Sequence, residues 1–178
     1  AACAAPGPES RTAQPSPVSV DQSGRVVRAR ADRNQDDSIG RGIQAALRQS
    51  DAVAFKTVSV LAWDNVVLLT GAVAKPEHRR RAAQVARDWS DVRLVHDDLV
   101  MAEDFASTAY LPDPVREQRI YAGLLGQNDV TGAYVVRVVN GVATLLGTAR
   151  SADDVAKAMA FARDVGGIKW VVDHVDIR

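Results

Sequence analysis

The chain has 178 residues, 47% of them hydrophobic and 25% charged, with a net charge of +0. That is enough apolar material for one ordinary core or two small ones, and the balanced charge excludes long-range attraction of the whole molecule to nucleic acid. No run approaches the ~18 apolar residues of a membrane-spanning helix, and a single cysteine, Cys3, excludes an intramolecular disulfide.

Ala1-Ala2-Cys3, with no initiator methionine before it, resembles the remains of a bacterial lipoprotein signal, whose cysteine carries the lipid after cleavage. Residues 4–36 contain Pro6, Pro8, Pro15 and Pro17 among many Ser, Gln, Asp and Arg, with no sustained apolar period. Residues 1–36 therefore read as a disordered tether. Val18, Val20 and Val26-Val27 give only a faint strand pattern within it. Arg25, Arg28, Arg30 and Arg33 make its second half basic, which suits a solvated linker or attraction to an anionic lipid surface.

From Asp37 the pattern becomes helical. Ile39, Ile43, Ala46 and Leu47 share one face, with Asp36, Asp37 or Ser38 available as N-cap. Two apolar runs, residues 58–63 and 66–71, then flank Asp64-Asn65 and predict a hairpin. Pro76 suits the first turn of a second helix, in which Ala82, Val85, Ala86 and Trp89 form a stripe and Arg79, Arg80, Arg81 and Arg87 lie off it. Residues 92–101 alternate as a third strand. Residues 102–112 contain Phe105, Tyr110 and Leu111, and read as a linker that packs on something.

The same order then recurs. Asp113-Pro114 starts a helix in which Ile120 and Leu124 match Ile43 and Leu47 at an offset of 77. Residues 132–147 form a hairpin around Asn140-Gly141, a dipeptide that accepts the positive φ angles of a type I′ turn. Its strands match those of the first hairpin at an offset of 76, with Gly147 opposite Gly71. Ser151, Asp153 and Asp154 cap the next helix, whose Ala158, Phe161, Ala162 and Val165 repeat the earlier stripe. Gly166-Gly167 stops it, and residues 168–177 form the last strand. There Ile168, Val171, Asp173 and Val175 correspond to Val92, Val95, Asp97 and Leu99.

Two units of order α-β-β-α-β, each with a strand-ending glycine and an Ala-rich second helix, resemble the BON domain. The resemblance covers residues 37–101 and 113–178. It implies an α+β fold of two tandem domains, each a three-stranded mixed sheet with two helices on one face. It also implies a non-enzymatic double-BON protein of the Gram-negative envelope, lipid-anchored on the periplasmic side of the outer membrane, that binds anionic phospholipid and supports envelope integrity. Each unit is near the lower size for an autonomous core, so packing one sheet on the other is a plausible cover for the faces without helices. Trp63, Trp89 and Trp170 are expected in the core or between the units. Gly71 and Gly147 are expected to serve the backbone, Gly147 through a positive φ, since no phosphate-binding glycine pattern surrounds them.

Catalytic chemistry finds little support. His96 precedes Asp97, and His174 follows Asp173, but adjacent strand residues point to opposite faces and do not converge. His78, at a helix start, reads as a surface residue. No metal or cofactor set is expected. The lipid-binding surface is placed on the first helix of the second unit. With Ile120 and Leu124 facing inward, a step of about 100° per residue gathers Val115, Arg116 and Arg119 on one flank. The competing reading is a protein-interaction adaptor, using sheet edges or Tyr121 and Leu125.

Overall fold

Both hairpins close on two-residue turns in which both residues have positive φ: Asp64 (50°) with Asn65 (63°), and Asn140 (49°) with Gly141 (76°). These are the type I′ angles that match the twist of the flanking strands. The structure, a computed structural model, describes residues 13–178. Its first part runs β1 (Ser19–Val20), β2 (Val26–Val27), α1 (Arg30–Ser50), β3 (Ser59–Trp63), β4 (Val66–Thr70), β5 (Ala72–Val73), α2 (Pro76–Arg87), β6 (Leu94–Asp97) and β7 (Val100–Met101). The second part runs α3 (Pro114–Gly126), β8 (Ala133–Val139), β9 (Val142–Ala149), α4 (Ala152–Asp164) and β10 (Trp170–Ile177). A short 3₁₀ turn, Thr108–Tyr110, lies in the connection.

Each unit is a mixed sheet with two helices on one face, as the resemblance implies. β3–β4 and β8–β9 pair antiparallel, and the last strand of each unit, β6 or β10, lies parallel to the hairpin's second strand. Ile43 and Leu47 enter one helix-facing core, Ile120 and Leu124 the other. The opposite sheet faces meet each other. Trp63, Val66, Leu68 and Leu146 form a third apolar cluster there, flanked by Leu61, Ala133 and Val135. The uncovered faces expected from the sequence are therefore stacked on one another, and the two small units share one buried seam.

Residues 13–36 depart from the tether expectation, whose first twelve residues lie outside the described ones. Residues 19–27 form the β1–β2 hairpin, and Val26 donates its N–H to the Thr131 carbonyl at 2.7 Å, so this hairpin leans on the second unit. Helix α1 begins at Arg30, well before Asp37. Its first two turns are polar on every side, so no apolar period marks them. Asp36 is accordingly no cap. It is buried inside the helix, where it accepts from Arg28 at 2.6 Å and from the Asn65 N–H at 3.2 Å. Ser151 caps α4 as expected, accepting the Asp154 N–H at 3.2 Å, and Asp113, at the expected helix start, accepts the Arg116 N–H at 3.0 Å.

Close approach explains the paired glycines differently in each unit. Gly71 has φ +109°, and a Cβ there would also lie 2.3 Å from the Thr57 carbonyl oxygen. Gly147 has no positive φ, contrary to the sequence expectation. It is required because a Cβ would lie 2.3 Å from the Ala133 carbonyl oxygen on the paired strand. Glycines also bring the helices together, since Gly42 makes room for the Trp89 ring and Gly123 for the Phe161 ring. Gly147→Val should therefore destabilise the protein by about 1–3 kcal/mol through overpacking. A thermal melt unchanged from wild type would show that the Ala133 carbonyl can move aside freely.

Candidate functional site

Asp64 occupies the first turn position of hairpin β3–β4, the place where the second unit has Asn140. Its side chain is fully buried and accepts from three arginines. Arg28 reaches it from the N-terminal segment at 2.7 Å, Arg93 from the approach to β6 at 3.3 Å, and Arg178 from the chain end at 2.6 Å. The Ser16 N–H adds a fourth donor at 2.9 Å. Burial pushes the Asp64 carboxyl up, but the hydrogen bonds from Ser16, Arg178 and Arg28 outweigh it and hold the group well below the usual carboxylate range. Burial instead pushes the neighbouring Asp36 carboxyl above its usual value. Arg28 lies over the Trp63 ring, 4.9 Å from its centroid, and the Trp63 indole donates to the Thr148 hydroxyl at 3.0 Å. Trp63 is thus the inter-unit contact anticipated.

Further along the seam, His96 on β6 and His174 on β10 stack with ring centroids 3.8 Å apart and planes inclined by 11°. His174 Nε2 meets an Asp98 carboxylate oxygen at 2.8 Å. The pleat separates His96 from Asp97, as expected; Asp97 instead accepts from Arg79 at 2.9 Å on the helix side of the sheet. Asp97 and Asp173, equivalent in the repeat, each accept the N–H two residues ahead on an edge strand, from Leu99 and Val175. Such self-pairing blunts an exposed edge. Among the described residues no group of histidine, cysteine and carboxylate side chains is arranged to hold a metal ion.

Helix α3 carries the candidate lipid-binding residues. Val115 is 67% exposed and Arg119 is exposed beside it. Arg116 is half-buried: it pairs with Asp113, and its Nε donates to the Gly166 carbonyl at 2.9 Å, packing over Gly167. It therefore ties the start of α3 to the end of α4. Tyr121 and Leu125 lie on the other flank of α3, at 41% and 56% exposure, where they border a groove of about 410 Å³. Val27, Arg25 and Arg33 from the N-terminal segment form its opposite wall. Cys3 lies outside the described residues. Trp170, expected in the core or the seam, is 67% exposed at the start of edge strand β10; Trp89 is half-buried against the first core. His78 is half-buried against the edge of the Phe55 ring rather than free on the surface.

The BON domain model matches residues 35–103 and again residues 113–178. The chain belongs to the BON family. Osmotically-inducible protein Y of Escherichia coli (strain K12) is 30% identical over 139 residues, covering 76% of this chain and 69% of the relative. A protein of the gshII 5' region of Anaplasma centrale is 26% identical over 126 residues, covering 70% of this chain and 83% of its own length. Among solved structures, two chains of CdsD, a structural protein of the type III secretion system of Chlamydia trachomatis, are similar. One is the C-terminal domain, at 16% identity and TM-score 0.34 over 91% of this chain and 89% of its own. The other has 17% identity and TM-score 0.32 over 80% of this chain, which spans only 63% of that chain. Neither likeness bears on the partners of this BON protein. Members of the family are generally non-enzymatic, and at its coarsest level the family's setting is the envelope.

Sequence reasoning missed the Asp64 hub, although Asp64-Asn65 was the visible departure from the Asn-Gly turn of the second BON unit. Removing the carboxylate leaves Arg28 buried beside a single partner. Asp64→Ala should therefore cost about 3–5 kcal/mol, the range for breaking a buried ion pair. Asp97→Ala, whose arginine is 40% exposed, should cost under about 1 kcal/mol. Equal losses in chemical denaturation would show that the hub holds no more than an ordinary surface pair.

Proposed function

We propose that this BON protein is a non-enzymatic component of the bacterial envelope that docks on anionic phospholipid surfaces through the outer face of α3, on the periplasmic side of the outer membrane, and so supports that membrane's integrity. What carries the reading is the distribution of exposed apolar side chains. Among the described residues α3 is the one helix that presents large ones to solvent, namely Val115, Tyr121 and Leu125. The outer surfaces of α1, α2 and α4 are polar or small. An apolar helix face bordered by guanidinium groups suits the headgroup region, where the apolar side chains enter and the cations meet phosphate. Arg119 supplies a cation on one flank, and Arg25 and Arg33 line the groove on the other. Arg116 supports the surface by holding α3 in place. A lipid on Cys3 would keep this face near the membrane, since stable anchoring needs more than a single weak contact.

The same groove favours a second reading, an adaptor in which Tyr121 and Leu125 receive an envelope protein. Vesicle binding by protein with Cys3→Ser, which removes any anchor, separates the two. Val115→Ser with Arg119→Glu should weaken binding to anionic vesicles by about tenfold or more, since each basic group near such a surface contributes ~1 kcal/mol and ~1.4 kcal/mol is a factor of ten. Binding should also fall at 1 M salt, where the Debye length is ~3 Å. If the unanchored protein ignores anionic vesicles at low salt, the adaptor reading replaces this one. Anchoring has its own check: mass spectrometry of native protein should find Cys3 acylated, and an unmodified thiol would end that part of the proposal.

A further inference from the structure

The seam between the two BON units is built differently at its two ends. Around Trp63 it is apolar and closed by the Asp64 hub. Past the hub, toward the end of β6 and the middle of β10, it is closed by two imidazoles, one from each unit, lying face to face. The charged groups around them are few. Asp98 holds His174 and also acts on His96, together with Asp176 on β10 and Arg93 before β6. Asp176 is itself engaged by Arg93 and Arg178. Just past Asp98 the seam widens into a cleft of about 490 Å³, walled by Val100 and Met101 from the first unit and by Arg137, Val139 and Val172 from the second.

We propose that the His96–His174 stack and Asp98 form an acid-operated clasp that opens this end of the seam and widens the cleft. Two protons must be placed. One has a carboxylate to balance it, since Asp98 lies 2.8 Å from His174 Nε2, and an imidazolium stacked on a neutral ring is attractive. The second has no such place. On His96 it would set two cations face to face at 3.8 Å, with the Arg93 guanidinium near and the Asp176 carboxylate already taken. Burial, and then the charge of His174, hold His96 below the ordinary imidazole value. A group so depressed binds its proton more tightly once the clasp is open. Its contribution to closure is therefore complete above the ordinary value of about 6.5 and is lost as pH falls below it. Asp64 keeps its charge throughout that window. Acid therefore releases the histidine end while the hub end holds, giving hinged opening that moves Val100 and Met101 away from Val139 and Val172 across the widened cleft.

Hydrogen exchange on the full chain tests the clasp, independently of any lipid reading. Protection of residues 94–101 and 170–176, corrected for intrinsic exchange and referred to β4 of the same molecule, should fall about tenfold between about pH 7.5 and about pH 5 in wild type. His96→Phe keeps a stacked ring that takes no proton, and should lose less than about twofold over the same range. His96→Gln is the second arm, should phenylalanine overpack the seam, with the same expectation. Wild-type protection that does not change with pH would overturn the proposal. So would non-titrating variants that open as wild type does. Vesicle binding near neutral pH should be untouched by His96→Phe, which keeps this result distinct from failure of the lipid reading.

Discussion

One carboxylate holds together the parts of this protein that no local rule would bring into contact. Asp64 sits in a tight turn at positive φ, with its side chain out of water, and such a charge is tolerated only when fully paired. Its partners come from three regions: the N-terminal segment, the first BON unit and the last residue of the second. The inter-unit seam, the lie of α1 and the placement of the β1–β2 hairpin all converge there. A hydrophobic seam alone could slide; three fixed guanidinium groups around one acceptor give it a register.

The second unit uses the same device with different residues. Asp154, in the first turn of α4, accepts from the N–H and hydroxyl of Thr131, the Gly132 N–H at 2.8 Å and the Tyr134 hydroxyl. Burial pushes this carboxyl up, and the donors led by Tyr134 bring it below its usual range. Tyr134 is correspondingly raised, first by its burial and then by Asp154. The position equivalent to Asp154 in the first unit is His78, so each BON unit has its own carboxylate hub at a place where the other has none. The scaffold is shared, and the fastenings are specific to each copy.

That division also separates scaffold from surface. The equivalent first helices α1 and α3 bury matching residues but face outward differently. The start of α1 is occupied by the Arg28–Asp36 pair and the N-terminal segment, whereas α3 leaves Val115, Tyr121 and Leu125 in solvent. The second unit is thus the one with a surface to offer. Residues 21–33 border that surface and help to charge it.

Periodicity and turn chemistry by themselves determined the α-β-β-α-β order of each unit, both hairpins, the helix start at Asp113-Pro114, the cap Ser151 and the main apolar residues of each helix-facing core. These are short-range properties: a two-residue turn, a cap or a stripe is written within a few positions, and two copies of the pattern reinforce each other. The sequence also raised the face-to-face stacking of the sheets, because two small units each had an apolar face to cover. It did not reveal the start of α1, where helical turns carry no apolar stripe, or the partners of Asp64 and His174. Those depend on residues far apart in the chain, brought together only by the seam. Arg116 shows the difference at one residue. Its place on the flank of α3 follows from helical geometry, but whether it reaches a membrane or the Gly166 carbonyl was decided by where α4 ends in space.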